Sequence, residues 1–156
     1  MFLVEVELKT TAGKGTGVFT KQPIKKTNIV ANFLHDVGFY LSEQTYNALQ
    51  VNNEIIKKTA CRWIGNSFLS KTYIGNDEYI NHSEDPNCIY VFGTLIAKKN
   101  IYTDEELTVD YSTILSASDH FAFEDSQTGK PVDGLPWKEA MEKMCRDYLE
   151  LIASVD

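Results

Sequence analysis

Asn81-His82-Ser83-Glu84-Asp85-Pro86-Asn87-Cys88-Ile89-Tyr90 is one half of the reading that decides the fold; Glu105-Glu106-Leu107-Thr108-Val109-Asp110-Tyr111 is the other. The first stretch begins as a polar loop, because Asn, Ser, Asp and Pro set tight turns and bond to nearby backbone. Taken alone it is a turn with one histidine. A His beside Ser and Asp invites a hydrolase reading, but a triad needs convergence in space and an oxyanion hole, which adjacency in sequence does not supply. The second stretch is an acidic turn running into a strand that ends in tyrosine, and an exposed acidic turn is its default reading.

Working outward, residues 89–92 and 94–97 read as two short strands joined at Gly93. Upstream, Gly65-Asn66 and Gly75-Asn76 mark turns. Residues 42–51 read as one short helix with Ser42 as N-cap and Tyr46 and Leu49 facing inward. Residues 17–20 and 29–33 read as strands, with Lys25-Lys26-Thr27-Asn28 turning between them. At the start, Val4, Val6 and Leu8 alternate with charges, the pattern of a strand and not of a signal peptide. Downstream, residues 112–134 form a long Ser/Asp/Gly-rich loop carrying Phe121 and Phe123, of the kind that is functional or disordered. Pro136 suits the first turn of a helix over 137–153, whose apolar face of Ala140, Met141, Met144, Cys145, Tyr148 and Ile152 docks on the body. The sum is a mainly β protein with few helices and one core.

A chain of 156 residues is the size of one domain and buries a core without staples. It has no apolar run long enough for a bilayer, so no membrane partner is expected. Cys61, Cys88 and Cys145 are scattered, as are His35, His82 and His120, which argues against zinc. Small buried cysteines in a reducing, intracellular setting are the simpler expectation. A net charge of -7 argues against direct nucleic-acid binding. The same charge either draws lysine-rich peptides or only keeps the chain soluble. In Gly13-Lys14-Gly15-Thr16-Gly17-Val18-Phe19, alternate glycines permit a sharp turn or the close approach of a ligand. The spacing fits neither a P-loop nor a dinucleotide fingerprint.

Together and in this order, the glycine segment, Asn81-His82-Ser83 with Pro86-Asn87, and Glu105 to Tyr111 resemble the SET domain of protein lysine methyltransferases. Gly75-Asn76 before Tyr79-Ile80-Asn81-His82 fits the same pattern, and the likeness spans about residues 3–111. The resemblance implies a β-clip of small curved sheets with a pseudoknot, here followed by a C-terminal helix. Residues 1–111 would be the SET core, and 112–156 a post-SET-like loop and helix packed on the same domain. It implies S-adenosyl-L-methionine as cofactor and a lysine-containing protein as substrate, a histone tail being one candidate. The oligomeric state stays open.

Carried over by residue, the resemblance implies that Lys14, Gly15, Thr16 and Gly17 pass along the cofactor, with Asn81 and His82 holding its methionine and adenine parts. Tyr111 would be the catalytic tyrosine beside the methyl group, and Tyr90 a second one that limits the number of methyls. Pro86-Asn87-Cys88-Ile89-Tyr90 is similar to a mono-methylating histone lysine enzyme of this family. Leu34 stands where many members have a channel tyrosine, so Leu34, Tyr90 and Phe121 would line the lysine channel. Glu78 stands where an arginine is common, and no cysteine cluster ends the chain. Phe121, Phe123 or Trp137 would then close over the adenine or line the channel without metal. The chemistry suits these residue types: a lysine with a pKa of about 10.4 must lose its proton before it attacks a sulfonium-bound methyl, and neutral tyrosines can orient it. A SET fold that binds cofactor or peptide without turnover is the alternative, and a hydrolase on His82 and Ser83 ranks last.

Overall fold

The computed structural model describes residues 1–11, 13, 15–119, 123–125 and 128–155, Phe123 through its backbone only. Strands β1 (Val6–Thr11) and β2 (Gly15–Thr20) form an antiparallel hairpin paired from Val6 with Thr20 to Thr11 with Gly15. The buried face belongs to β2, where Val18 and Thr20 are fully covered, whereas Leu8 on β1 is exposed. The chain turns at Thr27, which has φ 72°, and enters β3 (Ile29–Asn32). That strand stops one residue earlier than its apolar run suggests. The Asn32 carboxamide accepts the Leu34 N–H at 2.8 Å and starts a 3-10 turn over Phe33–Asp36.

A second group follows: β4 (Phe39–Ser42), α1 (Glu43–Leu49), α2 (Glu54–Thr59), β5 (Cys61–Arg62) and β6 (Ser67–Ser70). The strands form one antiparallel sheet in the order β4-β6-β5. Ser42 caps α1 by accepting the Thr45 N–H at 3.1 Å. Tyr46 stacks on Phe68 with ring centres 4.4 Å apart, but Leu49, expected inside, is exposed because α1 ends with it. The sequence reading missed α2, although Asn53 caps it by accepting the N–H groups of Ile55 and Ile56, both at 3.1 Å.

A 3-10 turn over Asn76–Tyr79 leads to β7 (Asn81–His82), followed by β8 (Cys88–Val91) and β9 (Thr94–Ala97). Phe92 and Gly93, with φ 48° and 87°, make the two-residue turn whose twist suits a hairpin. Strands β3, β9 and β8 form the central sheet. The chain returns to β10 (Thr108–Val109). The strand expected over 106–111 is thus two residues long, since Asp110 caps a 3-10 turn at Tyr111–Thr113 by accepting the Ser112 N–H at 2.9 Å. A small pair, β11 (Phe123–Glu124) and β12 (Pro131–Val132), precedes α3 (Trp137–Ala153).

The core gathers Val18, Val30, Ala31, Cys88, Leu95, Leu107, Val109 and Met144. Full burial of a side chain such as Leu107 contributes about 1.5–3 kcal/mol. Helix α3 docks through Ala140 and Met144, while Leu151 packs on Ile89, Val91 and Ile96. The expected face is corrected here: Cys145, Tyr148 and Ile152 are exposed, because the buried stripe follows 140, 144 and 151.

Candidate active site

The two deciding stretches meet as a parallel ladder between β7 and β10, Asn81 beside Thr108 and His82 beside Val109. Asn87, buried, fastens the crossing. Its Nδ2 donates to the Glu106 carbonyl at 2.7 Å and to Glu105 Oε1 at 3.1 Å, and its Oδ1 accepts the Thr108 N–H at 2.9 Å. On its other edge the 105–107 segment meets β2: Thr20 N–H donates to the Glu105 carbonyl at 3.1 Å and Leu107 N–H to the Val18 carbonyl at 2.8 Å. The returning segment is therefore threaded between the first hairpin and the Asn-His motif.

Glu106 is the hub of this crossing. Its Oε1 accepts from Asn81 Nδ2 at 2.7 Å and from Thr11 Oγ1 at 3.2 Å, and Asn81 also donates to the Thr16 carbonyl at 3.2 Å. Gly17 leaves room for this hub: a Cβ there would lie 2.3 Å from that Glu106 oxygen and 2.6 Å from Thr11 Oγ1, so a side chain would push the bonded groups apart. Gly15 differs: its φ is 80° and, among the described residues, nothing lies within 4 Å of where a side chain would begin. Lys14 and Phe121 lie outside the described residues.

Tyr111 donates its N–H to His82 Nδ1 at 3.1 Å, so the neutral ring carries its proton on Nε2. Asp125 Oδ2 stands 3.9 Å from that nitrogen, and the His82 and Tyr111 rings are 5.5 Å apart. The Tyr111 hydroxyl donates to the Ile80 carbonyl at 2.7 Å. Burial pushes its pKa up to about 12, with the charges of Glu78 and Glu106 adding to the effect.

Tyr111 also opens onto an apolar cavity of about 370 Å³ bounded by Phe33, Ile80, Tyr90, Leu95 and Val109. Tyr90 lies across it, its hydroxyl donating to the Arg62 carbonyl and 3.2 Å from Cys61 Sγ. Burial holds the Tyr90 proton on well above the ordinary phenol range and pushes the Cys61 thiol up to about 12. The cavity thus presents two neutral tyrosines and a neutral thiol. One wall carries Asp77 and Glu78, and behind it the buried Lys71 donates to Asp77 and to Glu78 Oε1, the latter at 2.8 Å. Burial raises the Glu78 carboxyl to about 7, against the pull of Lys71.

The crossing therefore brings Gly15, Thr16, Gly17, Asn81, His82 and Tyr111 to one place, and the cavity links Tyr111 to Tyr90. Leu34 is not among the residues that line the cavity; it is exposed and sits over Gly93, where a Cβ would come within 2.8 Å of its Cδ2. Trp137 borders a separate shallow groove beside Glu43 and Ser118. Phe123 pairs through its backbone with Val132. Glu106 was missed as a site organiser, although its position in the acidic motif was the available signal. The Asp77–Glu78 wall, with Lys71 behind it, had only one, the departure at Glu78.

The SET domain family profile matches residues 15–112. A variant-silencing SET domain-containing protein of Plasmodium falciparum is 30% identical over 128 residues, covering 71% of this chain and 5% of its own length. In the solved structures, the methyltransferase domain of human histone-lysine N-methyltransferase SETMAR matches with a TM-score of 0.54 and 28% identity, over 71% of this chain and 45% of that one. The chain thus spans a small part of the curated relative and under half of the solved one.

Proposed function

The chain belongs to the SET domain family, and on that premise we propose that it is a protein-lysine N-methyltransferase that takes its methyl group from S-adenosyl-L-methionine. The observation that carries this reading is the apolar cavity with Tyr90 and Tyr111 on its walls, both hydroxyls neutral and both donating to backbone carbonyls. A lysine side chain is long, thin and apolar up to its amine, and such a cavity suits it. The likeness to a histone-lysine methyltransferase domain supports a protein substrate, with a histone tail as one candidate. Three free cysteines, one of them exposed, suit a reducing intracellular setting.

The residues present fit the cofactor. Among the described residues nothing lies within 4 Å of where a Gly15 side chain would begin, which leaves room for a ligand to approach the glycine segment closely. His82 holds its flat ring beside Tyr111, fixed by the Tyr111 N–H on Nδ1. When bound, the cofactor supplies an electrophilic methyl on a positively charged sulfur. The protein's own part is positioning: Asn81 and Glu106 fix the glycine segment, and the two tyrosines aim the amine. Such positioning is worth several kcal/mol of barrier.

Transfer of labelled methyl from S-adenosyl-L-methionine to histones and a lysine peptide panel, read by mass spectrometry, tests the reading. Label on lysine that Tyr111→Phe abolishes supports it. Cofactor binding with no product on any substrate supports a SET-fold binding module instead.

A further inference from the structure

Lysine arrives as an ammonium and attacks only as an amine, so its proton must go somewhere. Most groups on the cavity wall cannot take it. Tyr111 and Tyr90 are neutral phenols whose hydroxyls already donate to carbonyls. Cys61 is a protonated thiol. Lys57 and Lys58, which also reach the cavity, are cations near Glu54, 3.9 Å from each. Asp77 bonds Lys71 and lies 3.8 Å from the Met1 amino group.

Glu78 differs from all of these. It gives Oε1 to Lys71, and among the described residues nothing bonds its second oxygen. Its side chain is only 12% exposed, yet it lines the cavity. Tyr111 and Cys61 line the same cavity, and the Glu78 charge helps to push both of their pKa values up. A carboxylate so placed attracts an ammonium, and the low dielectric then favours the neutral acid and amine over the ion pair.

We infer that the free oxygen of Glu78 is the proton acceptor for the incoming lysine, a role that rests on the methyltransferase reading above. The lysine N–H bond breaks, its electron pair stays on nitrogen, and an O–H bond forms on Glu78, which passes the proton to water when the product leaves. Lys71 holds the carboxylate in place and opposes the rise that burial imposes, so the group changes protonation near neutrality.

The test uses the whole chain in two assays, each on wild type and Glu78→Gln, which preserves an acceptor for Lys71. In the first, n-butylamine, a mimic of the lysine side chain, is titrated by NMR between pH 5 and 9 with 1-butanol as the uncharged control. The amine should bind about tenfold more weakly to Glu78→Gln and to the wild type at pH 5, with butanol indifferent to both changes. In the second, kcat/KM for methyl transfer should rise with pH around 7 in the wild type, and Glu78→Gln should lose that limb and about 100-fold in rate. Its cofactor affinity should not change. Amine binding indifferent to Glu78, or a retained limb, overturns the inference. Glu78-dependent amine binding with no methyl transfer overturns the function and leaves the ammonium site standing. The wild-type amine titration needs no variant and decides the matter if Glu78→Gln fails to fold.

Discussion

The crossing of residues 81–87 with 105–111 and the lobe of residues 39–79 bury polar groups in opposite ways. At the crossing, Asn87 and Asn81 spend their amides on backbone and on Glu105 and Glu106. In the lobe, Arg62 is fully buried over the Phe68 ring, its Nη2 bonded to Glu43 and to the carbonyls of Leu115 and Leu135. Its Nε and Nη1, with Gln50 Oε1, are the buried side-chain atoms without partners among the described residues. The crossing is a satisfied frame. The lobe holds charges at a cost, and one of them, Glu78, faces the cavity. Frames are built from neutral amides that bond backbone; tunable walls come from carboxyls whose proton is loosely held.

Four measurements break or sharpen that contrast. Arg62→Ala should show the largest effect, about 3–5 kcal/mol in urea unfolding, because it empties a buried volume and strands two carbonyls. Arg62→Met should recover only part of that, leaving about 2–3 kcal/mol, since it refills the volume but leaves Glu43 and the two carbonyls without their donor. An equal cost for both would show that the charge itself holds the lobe. Asn87→Leu should cost about 2–3 kcal/mol in the same assay, because it leaves Thr108 N–H and the Glu106 carbonyl without partners. A neutral result there would end the distinction between the regions.

The third measurement is of pH. Glu78 has a folded pKa of about 7, above the ordinary carboxyl value, so its contribution to stability is full at low pH and fades as pH rises through 7. Relative to the wild type, Glu78→Gln should therefore gain stability between about pH 4.5 and 8, by up to roughly 3 kcal/mol. A difference that is flat with pH would place the carboxyl in water. The smallest effect belongs to the exposed pair of Lys130 with Glu84, 3.9 Å apart: Lys130→Ala should change stability by about 0.5 kcal/mol or less in thermal melts.

The frame was legible in the sequence because its residues are of types with few other uses in that order, and the ladder of β7 and β10 joins the two motifs that were read first. The lobe was not. Arg62 and Lys71 look like surface residues; the burial of Arg62 depends on partners distant in the chain, such as Leu135, and that of Lys71 on the way the 71–78 turn folds Asp77 and Glu78 back onto it. Helix α2 is six residues long, too short to display a period, though its Asn53 cap could have been noticed. The face of α3 was misjudged because apolar residues occupy two neighbouring stripes, and period alone does not choose between 140/144/151 and 141/145/148/152. Among the site residues, Glu78 stood out only as a departure; its link to Lys71 comes from the fold.

Residues 81–82 reach 108–109 only after the chain between them has turned back through β8 and β9. The same returning segment must also find β2, from the far end of the sequence. Contacts so distant along the chain return nothing until the entropy of closing their loops has been met, so local hairpins form ahead of them. The threading is accordingly a late event in the life of each molecule. The surfaces assigned to methyl donor and lysine come into being with it, so a half-folded chain has neither. On the proposed function, competence would arrive only with completion of the fold.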